Sequence, residues 1–249
     1  MKAGEIYAFL NGLYPETTAC DFDNVGLLVG DYDAEITKAL ISLDCTLTTV
    51  KNAVSNGCQL IITHHPVIFD PLKNVIADSV VYELIRNNLT VISLHTNLDI
   101  ADGGVNDSLC KAIGLENVEP FTAFDGFLLR EGVTTSPLTA KSFAERLKKV
   151  LGGNVRYTDG GKDIETVLVC SGNGGKYVTE AISCGFDALV TAELKHNQFL
   201  FASDYGVSIF DAGHYNTEDI VLEPLKEILT DKFKSIDFIT DHTNLINYI

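Results

Sequence analysis

None of the six cysteines (Cys20, Cys45, Cys58, Cys110, Cys170, Cys184) forms a CxxC pair, and several sit in apolar runs or helical segments. Such thiols read as reduced, buried small hydrophobes and point to a reducing compartment. A hydrophobic signal core is missing from Met1-Lys2-Ala3-Gly4-Glu5, and no apolar run approaches the ~20 residues of a membrane span. A cytoplasmic protein with no membrane contact is therefore expected. Basic residues are scarce: 18 Lys+Arg stand against 34 Asp+Glu, a formal net charge of -16. The densest basic cluster, Arg146-Leu147-Lys148-Lys149, fits the solvated face of a helix, so the basic stripe of a phosphate-backbone binder is absent and nucleic acid is disfavoured as a partner. Bound metal ions could still supply local positive charge. There is no Walker-type or GxGxxG loop. Ser171-Gly172-Asn173-Gly174-Gly175 is at most a weak phosphate cradle, and a flexible strand-to-helix turn explains it more simply.

What is present is an ordinary globular composition, 46% hydrophobic and 21% charged over 249 residues, enough for one large domain or two compact lobes. The most informative stretch is Leu60-Ile61-Ile62-Thr63-His64-His65-Pro66-Val67-Ile68-Phe69. Its apolar run, without polar alternation, predicts a strand buried on both faces in a parallel sheet. Ligands collect beyond the carboxyl ends of such strands, so His64 and His65 are candidate metal ligands or proton carriers; alternatively they are loop histidines at a strand end.

In chain order, Ile6, Phe9, Leu10 and Leu13 predict an amphipathic helix over 4–14, ended by Pro15. Asp21-Phe22-Asp23-Asn24 is a polar turn feeding the strand Val25–Gly30; its Asp and Asn belong either to a site loop or to turn chemistry. Lys38–Asp44 is a buried strand, Thr46–Asn56 a helix closed by Gly57, and Val80–Asn87 a helix. The strand Thr90–Leu94 runs into His95-Thr96-Asn97-Leu98-Asp99 and a turn through Asp102–Asp107. Glu116–Pro137 shows no strong period and is the expected boundary between halves. A helix over Thr139–Leu151 turns Phe143, Leu147 and Val150 inward.

The second half repeats the first. Ala53–Thr63 aligns with Ala181–Thr191 at an offset of 128, with four of eleven positions identical, and His95-Thr96-Asn97-Leu98-Asp99 aligns with His214-Tyr215-Asn216-Thr217-Glu218 at 119. Both pentapeptides read His-x-Asn-x-acid. This implies a duplicated α/β unit whose halves face each other around a pseudo-twofold axis with a site between them. The copies differ where it matters: Ala192 and Glu193 replace His64 and His65. The candidate donors are then His64, His65, His95 and Asp99 from one half, and His214 and Glu218 from the other. A helical turn starting by His214 would put His214 and Glu218 on one face, although Glu218 could merely complement the helix dipole. Adjacent histidines diverge, so His64 and His65 suit a pair of ions better than one. Imidazole plus carboxylate without thiolate suits Zn, Mn, Fe, Ni or Co. Two such ions would activate a bridging water for hydrolysis.

Taken together, Asp23-Asn24-Val25-Gly26-Leu27-Leu28-Val29-Gly30, Thr63-His64-His65-Pro66, His95–Asp99 with Gly103-Gly104 and Asn106-Asp107, and Gly213-His214 through Glu218 resemble the signatures of the NIF-three-like family, whose members are often labelled GTP cyclohydrolase type-two homologues. The resemblance implies an α/β fold of two similar lobes, about 1–120 and 121–249, packed around a central dinuclear metal site, with two divalent ions per chain and a ring-shaped homohexamer. It carries the metal ligands onto His64, His65, Asp99, His214 and Glu218, and leaves His95 as a site-lining group able to act as general acid or base. Phe22 stands where the family commonly has tryptophan. Glu116–Pro137 is too short for the inserted third domain of some relatives, so one NIF-three-like domain of two halves is expected. The functional expectation is a metal-dependent hydrolase of a small nucleotide-like substrate, acting through a metal-bridging water. The alternative is a non-enzymatic metal-binding or metal-delivery module, or a ring-shaped adaptor.

Overall fold

Helical apolar spacing builds the first helix, α1 (Ala3–Leu13), with Ala3, Ile6 and Leu10 buried; Leu13, expected inward, is exposed, and Tyr14 after the helix is buried instead. Strand β1 (Gly26–Val29) follows, then β2 (Lys38–Ser42) and α2 (Leu47–Ser55), whose N-cap Thr46 accepts a hydrogen bond from the Thr49 N–H. The apolar run becomes β3 (Leu60–Thr63), with Leu60, Ile61 and Ile62 fully buried. Each such side chain contributes roughly 1.5–3 kcal/mol of transfer free energy. Then come α3 (Val80–Arg86), β4 (Thr90–Ser93) and a short α4 (Thr96–Ile100). The computed structural model describes residues 1–247.

Two α/β units result. The first comprises residues 1–101 and 222–245, so that the C-terminal α10 (Leu222–Lys232) and β11 (Asp237–Asp241) belong with the N-terminal elements. Its sheet has the order β1-β4-β3-β2-β11, parallel except for β1 against β4. The second unit contains residues 102–221. It holds α5 (Val105–Ile113), β5 (Leu115–Thr122), β6 (Leu128–Leu138), α6 (Ala140–Leu151), β7 (Arg156–Thr158), β8 (Ile164–Asn173), α7 (Val178–Ser183), β9 (Ala188–Ala192), α8 (His196–Asp204), β10 (Ser208–Asp211) and α9 (His214–Glu218). Its sheet order is β5-β6-β8-β9-β10-β7, with β8, β9 and β10 parallel.

The duplication is visible element by element. The series α1-β1-β2-α2-β3-α3-β4-α4 recurs as α6-β7-β8-α7-β9-α8-β10-α9, and in each unit the first strand closes the edge antiparallel to the fourth. Both α2 and α7 end before a left-handed glycine, Gly57 at φ 70° and Gly185 at φ 79°. The tails after the repeats are exchanged: α5 and β5, which follow the first copy, join the second unit, whereas α10 and β11, which follow the second copy, complete the first sheet.

Several expectations change. The units divide between Ala101 and Asp102 rather than near residue 120. Glu116–Pro137, without strong period in sequence, is most of the antiparallel hairpin β5–β6, which is obscured by a bulge between Glu116 and Glu119 and by largely exposed β5 side chains. The turn expected at Asp102–Asp107 ends in the start of α5, and Leu151 is buried in place of Val150. The final helix is two, α9 and α10, joined by a 3-10 turn at Asp219–Val221. All six cysteines are free thiols; Cys58, Cys110 and Cys170 are buried, Cys184 is exposed, and burial pushes the Cys45 and Cys110 thiols up to about 12. No helix among the described residues is long and apolar enough to cross a membrane.

Helix α10 is tied to β11 and the residues after it by Glu223. Its Oε1 accepts from Thr240 Oγ1 at 2.6 Å and from His242 Nε2 at 3.2 Å, and its Oε2 pairs with Lys226. The hydrogen bonds from Thr240 and His242 hold this carboxyl at about 2, below its ordinary 4.5. A lowered folded pKa stabilises the protein above the unfolded value, and that contribution disappears as pH falls from 4.5 towards 2. The melting temperature of Glu223→Gln should therefore lie below that of the wild type at pH 6, and the gap should shrink steadily as both are scanned down to pH 3. A pH-independent gap would refute the linkage.

Candidate metal centre

Strand β3 ends at Thr63, whose Oγ1 bonds to Ser93 Oγ at 2.8 Å and donates to the His65 carbonyl at 2.9 Å, and the His64 and His65 N–H groups still donate to the Ser42 and Leu43 carbonyls. His64 and His65 are thereby held beyond the carboxyl end of the sheet, where a parallel fold leaves space for ligands. His64 is almost wholly buried. Its Nδ1 lies 2.9 Å from the Leu94 carbonyl oxygen, an acceptor only, so Nδ1 carries the proton and Nε2 the lone pair. His65 Nδ1 lies 2.8 Å from Asp44 Oδ1 and is fixed in the same sense.

The third imidazole enters from β4. His95 is the N-cap of α4, and its Nδ1 lies 2.8 Å from Asp23 Oδ1. Asp23 Oδ2 also accepts from the Thr96 N–H and hydroxyl, so the carboxylate caps α4 while it orients the ring. Burial pushes the Asp23 carboxyl up, but the hydrogen bonds from His95 and Thr96 outweigh it and hold the group at about 2. His64, His65 and His95 each offer one ring nitrogen, and the three nitrogens lie within 4.8 Å of one another, a group able to hold a metal ion. Asp99, one turn after His95 on α4, sets Oδ1 3.5 Å from His64 Nε2.

The second unit has the equivalent ends with altered contents. β9 ends on Ala192 and leads into Glu193, and β10 leads into His214 and Glu218 at the two ends of α9. In the first unit Thr63 pairs with Ser93, two residues before His95; in the second Thr191 pairs with Asp211, three residues before His214. The extra residue is accommodated by Gly213 in a positive-φ conformation, φ 87°. His214 Nδ1 lies 2.8 Å from Glu193 Oε1, and its Nε2 3.0 Å from Glu218 Oε2, so the expected i, i+4 pairing is present. Glu193 adopts φ 56°. The left-handed region is costly for a side chain that does not bond locally, and such strain collects at functional sites. Among the described residues the other non-glycine cases are Asn or Asp.

These contacts fit a metal. Two donors each about 2.1 Å from one ion, at 90–109°, stand roughly 3.0–3.4 Å apart, close to the two imidazole–carboxylate spacings. Outer acceptors at the opposite nitrogen are the usual orienting groups of ligating histidines. Sequence reasoning missed two such groups, Asp44, assigned only to a strand end, and Glu193, seen only as a replacement for His65, and it missed the steric role of Gly172. His196, exposed at the start of α8, takes no part in these groups.

Gly172 belongs to the stretch weighed as a phosphate cradle, but its N–H donates to Thr217 Oγ1 at 3.0 Å and that of Gly174 to Thr191 Oγ1 at 2.8 Å, so neither is available to an anion. Its real constraint is steric. A Cβ here would lie 2.1 Å from Glu218 Oε1 and 3.2 Å from His214 Nε2. Gly172→Ala should therefore displace the Glu218 carboxylate and lower metal content, whereas Gly185→Ala, with a similar φ and nothing within 4 Å, should show only about 1–2 kcal/mol of backbone strain in denaturant unfolding. Equal metal content in the two variants would refute this role.

Known proteins resemble the chain along nearly all its length. A relative from Clostridium perfringens (strain 13 / Type A), described as a GTP cyclohydrolase 1 type 2 homolog, is 32% identical over 254 residues, spanning 96% of this chain and 95% of its own. One from Methanocaldococcus jannaschii, with the same description, is 35% identical over 255 residues, spanning 96% of this chain and 100% of its own. The crystal structure of a Staphylococcus aureus hypothetical protein matches with a TM-score of 0.93 at 29% identity, covering 100% of this chain and 99% of that one. The sequence profile described as Duf34/NIF3 (NGG1p interacting factor 3) matches residues 1–245, and the chain belongs to this family.

Proposed function

We propose that the protein is a metal-dependent hydrolase of a small nucleotide-like substrate, with two divalent ions held by His64, His65, Asp99, His214 and Glu218. The observation that carries this reading is the repeated fixing of Nδ1: each of His64, His65 and His214 has that atom against an oxygen acceptor, leaving Nε2 as the donor a divalent ion needs, and the same fixing at His95 leaves its Nε2 for proton transfer. The description of the relatives as GTP cyclohydrolase 1 type 2 homologs agrees with a nucleotide-like substrate.

Ions of this class supply Lewis acidity, lower the pKa of coordinated water and offset charge that develops on the substrate. The chain supplies orientation and proton transfer. Leu94, Asp44 and Glu193 hold His64, His65 and His214 in one tautomer. His95, its ring set by Asp23, carries protons at Nε2 and is the catalytic group of this reading. A ring-shaped homohexamer in the cytoplasm belongs to the same proposal, and a solution mass other than six chains of 27.1 kDa would count against it.

Protein purified without chelator should contain about two ions per chain and turn over nucleotides or phosphoesters in a metal-dependent way. His64→Ala and Glu218→Ala should each lose most of the metal with an unchanged circular dichroism spectrum. Normal metal content in both would refute the ligand set. His95→Gln should keep its metal and lose roughly 10²–10⁴-fold in turnover. Two ions without turnover in the wild type would shift the reading to metal handling.

A further inference from the structure

Two aromatic side chains stand beside the first unit's imidazole group without entering the core. Phe22 is 65% exposed and Phe69 46% exposed. Their ring centroids lie 6.2 Å apart with planes at 47°, and Phe69 meets the His95 ring edge-on, 6.2 Å between centroids. The arrangement is held by hydrogen bonds. Asn24 Nδ2 donates to the Ile68 carbonyl at 2.6 Å, tying the Phe22 loop to the Phe69 loop, and Asp23 between them is bonded to His95 and Thr96. Each anchoring residue lies within two positions of a ring, so the bonds that orient His95 also place Phe22 and Phe69.

We infer that Phe22 and Phe69 form a stacking platform for a purine-type base, presenting the substrate to His95. This assignment rests on the proposed function and narrows its substrate from nucleotide-like to base-bearing. Carbon surfaces pack at ~3.5 Å, so a third ring sandwiched between two others needs about 7 Å. At 6.2 Å the base instead stacks on one exposed face and has the other ring inclined at 47° to it. Residues 20–24 contain no Lys or Arg and the loop 64–79 only Lys73, four residues beyond Phe69, so recognition at the two rings runs through the base rather than through phosphate.

The chain contains no tryptophan, so Phe22→Trp creates a single fluorescent reporter at the platform. Its emission should be quenched saturably by guanosine or adenosine and left unchanged by ribose 5-phosphate. Adding Phe69→Ala should weaken nucleoside affinity at least about five-fold, the lower end of what one base–aromatic stack contributes. Metal content measured on the same samples separates the two readings. Metal retained without nucleoside quenching overturns the platform and leaves the metal centre standing. Quenching in protein that binds no metal keeps the platform and removes the proposed chemistry. Nucleoside binding unaffected by Phe69→Ala, or emission that follows protein concentration and ignores nucleosides, also overturns the assignment, the latter by placing the rings in a contact between copies of the chain.

Discussion

An imidazole offers a lone pair at Nε2 only while its proton sits on Nδ1, and water alone does not enforce that choice. Here an oxygen acceptor stands against Nδ1 in each of four histidines: the Leu94 carbonyl for His64, Asp44 for His65, Asp23 for His95 and Glu193 for His214. The fold around them reads as the means of keeping those acceptors in place. Parallel strands deliver the histidines to one end of each sheet, and the acceptors come from neighbouring strand ends and loops. The mostly buried His64 shows the stakes, because a misplaced proton inside the protein has no solvent to correct it.

Duplication explains the symmetry of this arrangement, and its breakdown puts different residues at the equivalent positions of each unit. β3–β4 and β9–β10 pair in parallel and lead into equivalent positions. In the first copy those positions hold His64, His65, His95 and Asp99; in the second they hold Ala192, Glu193, His214 and Glu218. Glu193 occupies the place of His65 and has become an orienting group, in a backbone conformation unfavourable for glutamate. The one-residue insertion before His214 is absorbed by Gly213. The two copies thus differ in content at equivalent places, three histidines and an aspartate in one and one histidine and two glutamates in the other.

Acidity shapes the rest. With a net charge of -16 the chain has little positive charge to offer an anionic substrate, and the glycine-rich turn at Gly172–Gly175 spends two of its N–H groups on Thr217 and Thr191. Positive charge at the centre would come from metal. Selectivity for the remainder of a substrate falls to uncharged surface, which here includes the Phe22 and Phe69 rings.

The sequence by itself determined the buried strands, most of the helices, the duplication and the histidines and carboxylates at the strand ends, because each of these is written in neighbouring residues: apolar runs, 3.6-residue spacing, Gly57 and Gly185 as helix stops, and the twofold His-x-Asn-x-acid pentapeptide. Periodicity failed where it is weakest, at the bulged, exposed hairpin β5–β6 and at the short α4. Only the tertiary structure decided which unit each tail joins and which acceptor faces each Nδ1. Those acceptors lie 21 residues from His65, 72 from His95, 30 from His64 and 21 from His214 along the chain. A hydrogen bond across such distances leaves no mark in local spacing; it exists only once the strands have paired and brought their ends together.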